Sequence, residues 1–215
     1  MIILLFVGTV KTTVLSVSGL ANVRLCVEYE QRPTMKTLDP QDRALVVVLP
    51  ARIGTTIDAC RRAHDPNYDI VPPHITVVYP PFVPENQWAG LRPVVRRCLG
   101  QFRPFQIRLH GLGTFETDHH VLWLRVEDQG QLSRIQAALV QCLPQYVLPL
   151  PYGYVPHVTL GVFQSRSEMD QVQEAMCADL KPRRFTVRYL AYLSPDKRGS
   201  WCVCSRVPLG TGNGT

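Results

Sequence analysis

Apolar residues along this chain cluster into short runs and helical stripes that alternate from about residue 44 onwards. Ala44–Leu49 (ALVVVL) is a continuous apolar run closed by Pro50, the signature of a buried strand. Thr55 or Thr56 can then cap a helix carrying Ile57, Cys60 and Ala63, which fades at Asp65-Pro66. A second apolar run, VPPHITVVYPP, predicts a strand over about 73–79. Pro84 opens a helix with Trp88, Leu91, Val95, Cys98 and Leu99 on one face, ended by Gly100. Phe105, Ile107 and Leu109 alternate as a strand. Leu112–Glu116 and Val121–Val126 predict two further strands joined through Thr117-Asp118-His119-His120. Leu132, Ile135, Leu139, Cys142 and Leu143 mark a helix that stops at Pro144. A strand over about 155–163 (YVPHVTLGVF) follows, then a helix with Met169, Val172 and Met176. Strands over about 184–193 and 200–206 close the pattern, joined by Ser194-Pro-Asp-Lys-Arg-Gly199.

Two of these strands carry nearly the same text. Pro73-His74-Ile75-Thr76-Val77 returns about 80 residues later as Pro156-His157-Val158-Thr159-Leu160. Side chains two apart share one face of a strand, so His74 points with Thr76, and His157 with Thr159. The repeat implies two comparable halves built from one duplicated supersecondary unit. The expected fold is α+β: two pseudo-symmetric lobes of mostly antiparallel sheet, outer helices, and a central cleft. If the two strands meet there, two imidazoles and two hydroxyls converge in one groove. An imidazole titrates near neutrality and can take or give a proton, and a hydroxyl can hold a phosphate oxygen. That set suits phosphodiester cleavage. A single His in an apolar strand is more often a satisfied core residue; the matched pair with matched threonines shifts the weight to catalysis.

Composition supports a globular protein, with 46% hydrophobic and 19% charged residues. The net charge is +6, and its placement matters more than its size. Arg92, Arg96, Arg97, Arg103 and Arg108 have no acidic neighbour in 91–110, and Asp196 is the sole acid among the seven basic residues of 181–206. Clustered basic charge suits a phosphate-bearing ligand, although a solvated basic face has the same composition. The seven Cys are odd in number and lack the spacing of a disulfide framework. Cys60, Cys98, Cys142 and Cys177 sit in helical apolar patterns, as small buried hydrophobes do. A reducing, cytoplasmic setting is expected, and no metal or other cofactor.

These residues resemble a known group. PHIT at 73–76 and PHVT at 156–159 are similar to the paired His-x-Thr/Ser motifs of the 2H phosphoesterase superfamily, which includes LigT-type RNA 2′,3′-cyclic phosphodiesterases, also called 2′-5′ RNA ligases. GLGTFETDHHVLWLRV at 111–126 resembles the hairpin such proteins carry between the motifs. The resemblance runs from about Ala44 to Pro208. It implies a LigT-like fold and metal-independent cleavage in which His74 and His157 are acid and base, in either assignment, while Thr76 and Thr159 hold the phosphate. The implied partner is an RNA end, an oligonucleotide or a cyclic nucleotide. Candidate substrates are a 2′,3′-cyclic phosphate, a 2′-5′-linked oligoadenylate or a cyclic dinucleotide; in a viral chain the last two would mean antagonism of immune signalling. The alternative is a non-catalytic RNA- or nucleotide-binding module of the same fold. Tyr79, Tyr154 and Phe163 flank the motifs and can stack a base, with Tyr152 a further aromatic nearby; Arg188 or Arg198 can steady a phosphate. His119 and His120 are expected in a solvated turn, and His64 and His110 receive no role.

The organisation expected is an N-terminal extension over 1–40, a 2H domain over 41–208 and a flexible tail over 209–215, in a monomer without stable membrane insertion. The apolar start, Met1–Val10, is broken by Lys11 and falls short of a spanning length. An extension ranks first for this segment, a signal peptide second and an anchor third.

Overall fold

The computed structural model describes residues 42–116, 119–147, 150 and 153–210. The expected extension over 1–40 lies outside them. Twelve elements follow one another: β1 (Ala44–Val48), α1 (Ala51–His64), β2 (His74–Val78), α2 (Glu85–Leu99), β3 (Phe105–Glu116), β4 (His120–Glu127), α3 (Gln131–Cys142), β5 (His157–Phe163), α4 (Arg166–Asp179), β6 (Arg183–Val187), β7 (Tyr189–Pro195) and β8 (Trp201–Pro208). They form two four-stranded antiparallel sheets, ordered β2-β1-β7-β8 and β5-β4-β3-β6. This is the α+β architecture that the repeat implied. The repeated unit is now explicit: in both β1-α1-β2 and β4-α3-β5 a helix joins two antiparallel neighbours, and the His-Thr strand comes last.

The inner faces of both sheets share one core. Leu45, Val47, Ile75 and Val77 from the first sheet and Leu122, Leu124, Val158 and Leu160 from the second belong to it, with Ile53 and Ile57 of α1, Val95 and Leu99 of α2, and Leu132, Ile135 and Leu139 of α3. Each of these side chains, buried whole, contributes about 1.5–3 kcal/mol. Helices also cross between halves: α1 packs on β5, and α3 on β2. Trp88 of α2 stacks on Tyr192 of β7 with ring centroids 4.0 Å apart, and the Tyr192 hydroxyl donates to the Val83 carbonyl at 2.7 Å. Asp128 starts α3 by accepting from the Gly130 and Leu132 amides.

Several expected boundaries move. Helix α1 begins at Ala51 after Pro50, not at Thr55 or Thr56, and the Thr55 hydroxyl donates back to the Ala51 carbonyl inside the helix. The two strands expected over 105–116 are one strand, bent by an irregularity between Leu109 and Leu112 where Gly111 takes φ 68°. The single strand expected over 184–193 is two, in different sheets; Arg188 and Tyr189, both exposed, break the in-out alternation where the chain changes sheet. Of the helical cysteines, Cys98 is buried and Cys60 half-buried, but Cys142 and Cys177 are exposed. Each of those two lies one position off its helix's buried stripe. The first two residues of the tail expected over 209–215 are held by the fold: Leu209 is buried, and the Gly210 amide donates to the Phe102 carbonyl; 211–215 lie outside the described residues. Gly210 is needed there, since a Cβ would come 2.0 Å from the Gly100 carbonyl oxygen. No helix among the described residues is long and apolar enough to cross a membrane.

Candidate active site

Both motifs lie on edge strands, and the two edges meet: β2 ends one sheet, β5 ends the other, and they run side by side. In β2, Ile75 and Val77 are buried while His74 and Thr76 are half-buried on the opposite face. In β5, Val158 and Leu160 are buried while His157 and Thr159 are half-buried. The pleat therefore turns all four polar side chains away from the buried face of their strands.

The two histidines are anchored alike. His74 Nδ1 lies 2.8 Å from the Pro72 carbonyl oxygen, and His157 Nδ1 lies 2.8 Å from that of Val155. A carbonyl only accepts, so each Nδ1 is assigned the proton. Nε2 is then the nitrogen each ring has free for chemistry. Among the described residues the Thr76 and Thr159 hydroxyls hold no internal hydrogen bond. Burial pushes His74 down to about 4, with Arg61 and His157 adding to the push and the Pro72 carbonyl opposing it. His157 is also lowered by burial, opposed by the Val155 carbonyl.

The surroundings differ. Toward the first motif lies buried Arg61, which donates from Nε to Asp65 Oδ2 at 3.0 Å and from an η nitrogen to the Val71 carbonyl at 2.8 Å. That bond fixes the chain just ahead of Pro72, the anchor of His74. Beside the second motif stands a wall of rings. Phe115 meets His157 edge-on at 4.9 Å, Trp123 lies 5.8 Å from it, and Phe115 and Trp123 stack at 4.9 Å. Trp123 lies flat on Gly113, where a Cβ would come 2.4 Å from the ring. Arg125 is the cross-strand partner of His157 and donates from Nε to the Leu112 carbonyl at 2.7 Å.

Sequence reasoning assigned no role to Phe115, Trp123, Arg125 or Arg61. The first three sit in the quoted hairpin, where Leu122 and Leu124 point inward and Trp123 and Arg125 outward, so the alternation carried the signal. Arg61 comes from α1, and its bond to the Val71 carbonyl ahead of the first motif has no sequence signal.

The expected substrate-binding residues scatter. The Tyr154 hydroxyl donates to the Thr76 carbonyl at 2.8 Å, tying the second half to the first motif. Burial holds its phenol well above the usual range, as it does that of Tyr79. Tyr79 follows the Ile75–Val77 side of its strand, half-buried. Phe163 is 1% exposed and packs on His64 at 5.1 Å, so it offers no face to a base. An irregularity in the β4–β5 register at Leu160 turns the rest of β5 over and sends Phe163 into the core. Arg188 is exposed at the junction of β6 and β7, and Arg198 in the β7–β8 turn. Tyr152 lies outside the described residues. His119 and His120 are half-buried, not solvated, and His120 opens β4 opposite Phe163. His110 pairs with Glu127 at 2.5 Å. A cavity of about 310 Å³ lies behind Tyr154, against Gln136, Ala137 and Val140 of α3, away from the histidine pair. Among the described residues no cluster of three or more His, Cys, Asp or Glu could hold a metal ion.

Fold and paired motifs define one class. The model of the 2′-5′ RNA ligase superfamily matches residues 49–199, which include both motifs, and the chain belongs to that superfamily. Among its relatives is a protein of Geobacillus kaustophilus named as a phosphoesterase, 27% identical over 170 residues, covering 77% of this chain and 95% of that one. One from Bacillus cereus, also named as a phosphoesterase, is 26% identical over 170 residues, covering 78% and 97%. The fold is shared with TT0787 of Thermus thermophilus (TM-score 0.57, 17% identity, 80% and 99% covered) and with Escherichia coli LigT without ligand (TM-score 0.53, 20% identity, 79% and 98% covered).

Proposed function

We propose that the protein is a metal-independent phosphodiesterase that cleaves 2′-linked or 2′,3′-cyclic nucleotide phosphates by two-histidine acid–base catalysis. The observation that carries this is the pair of adjacent edge strands, each presenting an Nδ1-anchored imidazole and an unengaged threonine hydroxyl to one cleft. His74 is the base: it is held neutral by burial and by the push of Arg61. His157 lacks that cationic push and is the acid. In the opening of a 2′,3′-cyclic phosphate, His74 Nε2 takes a proton from water as the water oxygen bonds to phosphorus. The P–O3′ bond breaks, and O3′ takes the proton from His157 Nε2, leaving a 2′-monophosphate. Thr76 and Thr159 donate to the non-bridging oxygens as charge develops on them. Trp123 and Phe115 supply a stacking surface for the base beside His157. Escherichia coli LigT, which shares the fold, has been crystallised with 3′-AMP and with phosphate, ligands of the same chemical class.

The test is to incubate the purified protein, with EDTA, with nucleoside 2′,3′-cyclic phosphates, 2′-5′ oligoadenylate, cyclic dinucleotides and single-stranded DNA, and to identify the products by chromatography. Turnover of the ribose substrates, with inert DNA, is expected. Binding without turnover would make the protein a nucleotide-binding module instead. Loss of activity on chelation, restored by a divalent ion, would contradict the mechanism.

A further inference from the structure

The outer face of the first sheet extends well beyond His74, and its register can be followed strand by strand. Thr76 of β2 stands opposite Val46 of β1, Val46 opposite Ala191 of β7, and Ala191 opposite Arg206 of β8. Arg206 therefore shares a face with Thr76. Tyr189 precedes Ala191 by two and lies on that face too, toward the end where His74 pairs with Val48. Two strand spacings, about 10 Å, separate β7 from β2.

Most of this face is covered: Ala44, Val46, Ala191 and Leu193 are buried, with Val71 and Trp201 packed among them. Tyr189 is not. It is 37% exposed, one of two large apolar side chains that stand out on the described surface. The Arg206 guanidinium lies 5.4 Å from the centre of its ring, and among the described residues no carboxylate pairs with Arg206. A tyrosine–arginine pair could simply protect the edge strand β8. An edge needs only charge for that, however, and the bare aromatic face falls at the His74 end of the cleft. A flat ring stacked by an unneutralised guanidinium suits a nucleobase with a phosphate next to it.

We infer that Tyr189 and Arg206 form a second nucleoside subsite, across the cleft from the Phe115–Trp123 wall, an inference that rests on the phosphodiesterase assignment above. A cyclic mononucleotide has one base and fills one wall. A 2′-5′ phosphodiester inside an oligonucleotide has a nucleoside on each side of the phosphorus and fills both. With His74 as base, the nucleoside over Tyr189 supplies the attacking 3′-hydroxyl. Its proton goes to His74, its oxygen bonds to phosphorus, the P–O5′ bond breaks, and O5′ takes the His157 proton. The leaving nucleoside lies against Trp123. The products are a 2′,3′-cyclic phosphate and a free 5′-hydroxyl.

The experiment uses a 2′-5′ adenylyl dinucleotide whose first ribose is 3′-deoxy, so that it binds without this cleavage, and its twin lacking the base on that ribose. Equilibrium binding of both to the full chain reads the contribution of the base, while turnover of the parent dinucleotide, measured alongside, reports the catalytic assignment separately. The base should tighten binding roughly 5- to 150-fold. Tyr189→Ala should bring the two ligands close to equal, Tyr189→Phe should keep the difference, and Arg206→Gln should reduce it about 2- to 5-fold. Equal binding of both ligands by the native protein, or an undiminished difference in Tyr189→Ala, would overturn the subsite.

Discussion

The two His-Thr strands are twins in backbone and strangers in environment. Both histidines are fixed through Nδ1 to a carbonyl two residues earlier, at the same 2.8 Å, so the two halves share the device that aims the ring. What differs is what lies around each ring. Toward His74 is a buried Arg61–Asp65 pair that braces the strand's approach; the Arg61 charge lowers the His74 pKa and Asp65 partly offsets it. Against His157 are Phe115 and Trp123, which add no charge. Symmetric placement with asymmetric surroundings can split one residue type into a base and an acid, because a neighbouring cation favours the neutral form. The motif supplies the atoms, and the rest of the fold assigns the roles.

The sharpest break of this comparison removes each twin. His74→Ala and His157→Ala should each lower kcat roughly 10²- to 10⁴-fold, the usual worth of a general acid or base. The double variant should be little slower than either, since the two act as a unit; single-turnover kinetics on a 2′,3′-cyclic phosphate read all three. Next is the brace. Arg61→Met leaves Asp65 buried without its partner and should cost about 3–5 kcal/mol in urea unfolding. In the fraction that stays folded, the acid limb of the pH–rate profile should move up, because the Arg61 charge no longer depresses His74. The aromatic side is worth less: Trp123→Ala should cost roughly 1–3 kcal/mol of nucleotide affinity, seen in KM more than in kcat. Smallest is the effect of His74 on pH stability. Its folded pKa of about 4 lies below the ordinary 6.5, so the unfolded chain binds the proton more readily. Stability from this group is intact above pH 6.5 and is lost as pH falls toward 4. Solvent screening of a half-buried ring limits the loss to about 1–2 kcal/mol. A His74→Gln variant should lack that slope.

The sequence made the repeat, the strand faces and the four motif side chains legible because strand alternation is local: each His and Thr falls outward wherever Ile, Val or Leu falls inward. It failed where a position depends on a break in regularity. Phe163 has the right spacing from His157 to share its face, but the irregularity at Leu160 inverts it. The passage from β6 to β7 hides inside an unbroken strand-forming stretch, and only the pairing shows it: β6 lies on β3, whereas β7 lies between β1 and β8. Thr55 and Thr56 are good caps, yet Pro50 starts the helix a turn earlier because Ile53 and Ile57 both reach the core. The stacking wall was present in the quoted hairpin, but that Trp123 faces His157 requires the β4–β5 register. Arg61 lies about a dozen residues before His74 in the chain and reaches the approach to its strand only through the bond to the Val71 carbonyl, after the turn at Asp65–Val71.

The most direct measurement is the pH dependence of kcat/KM on a nucleoside 2′,3′-cyclic phosphate, in EDTA, for the native protein and both single variants. The native profile should be a bell with its optimum on the acid side of pH 6.5, since burial lowers both histidines. The residual activity of His74→Ala should lose the rising acid limb and keep the falling one, and His157→Ala should do the reverse. A bell that survives intact in either variant would contradict a base on one strand and an acid on the other.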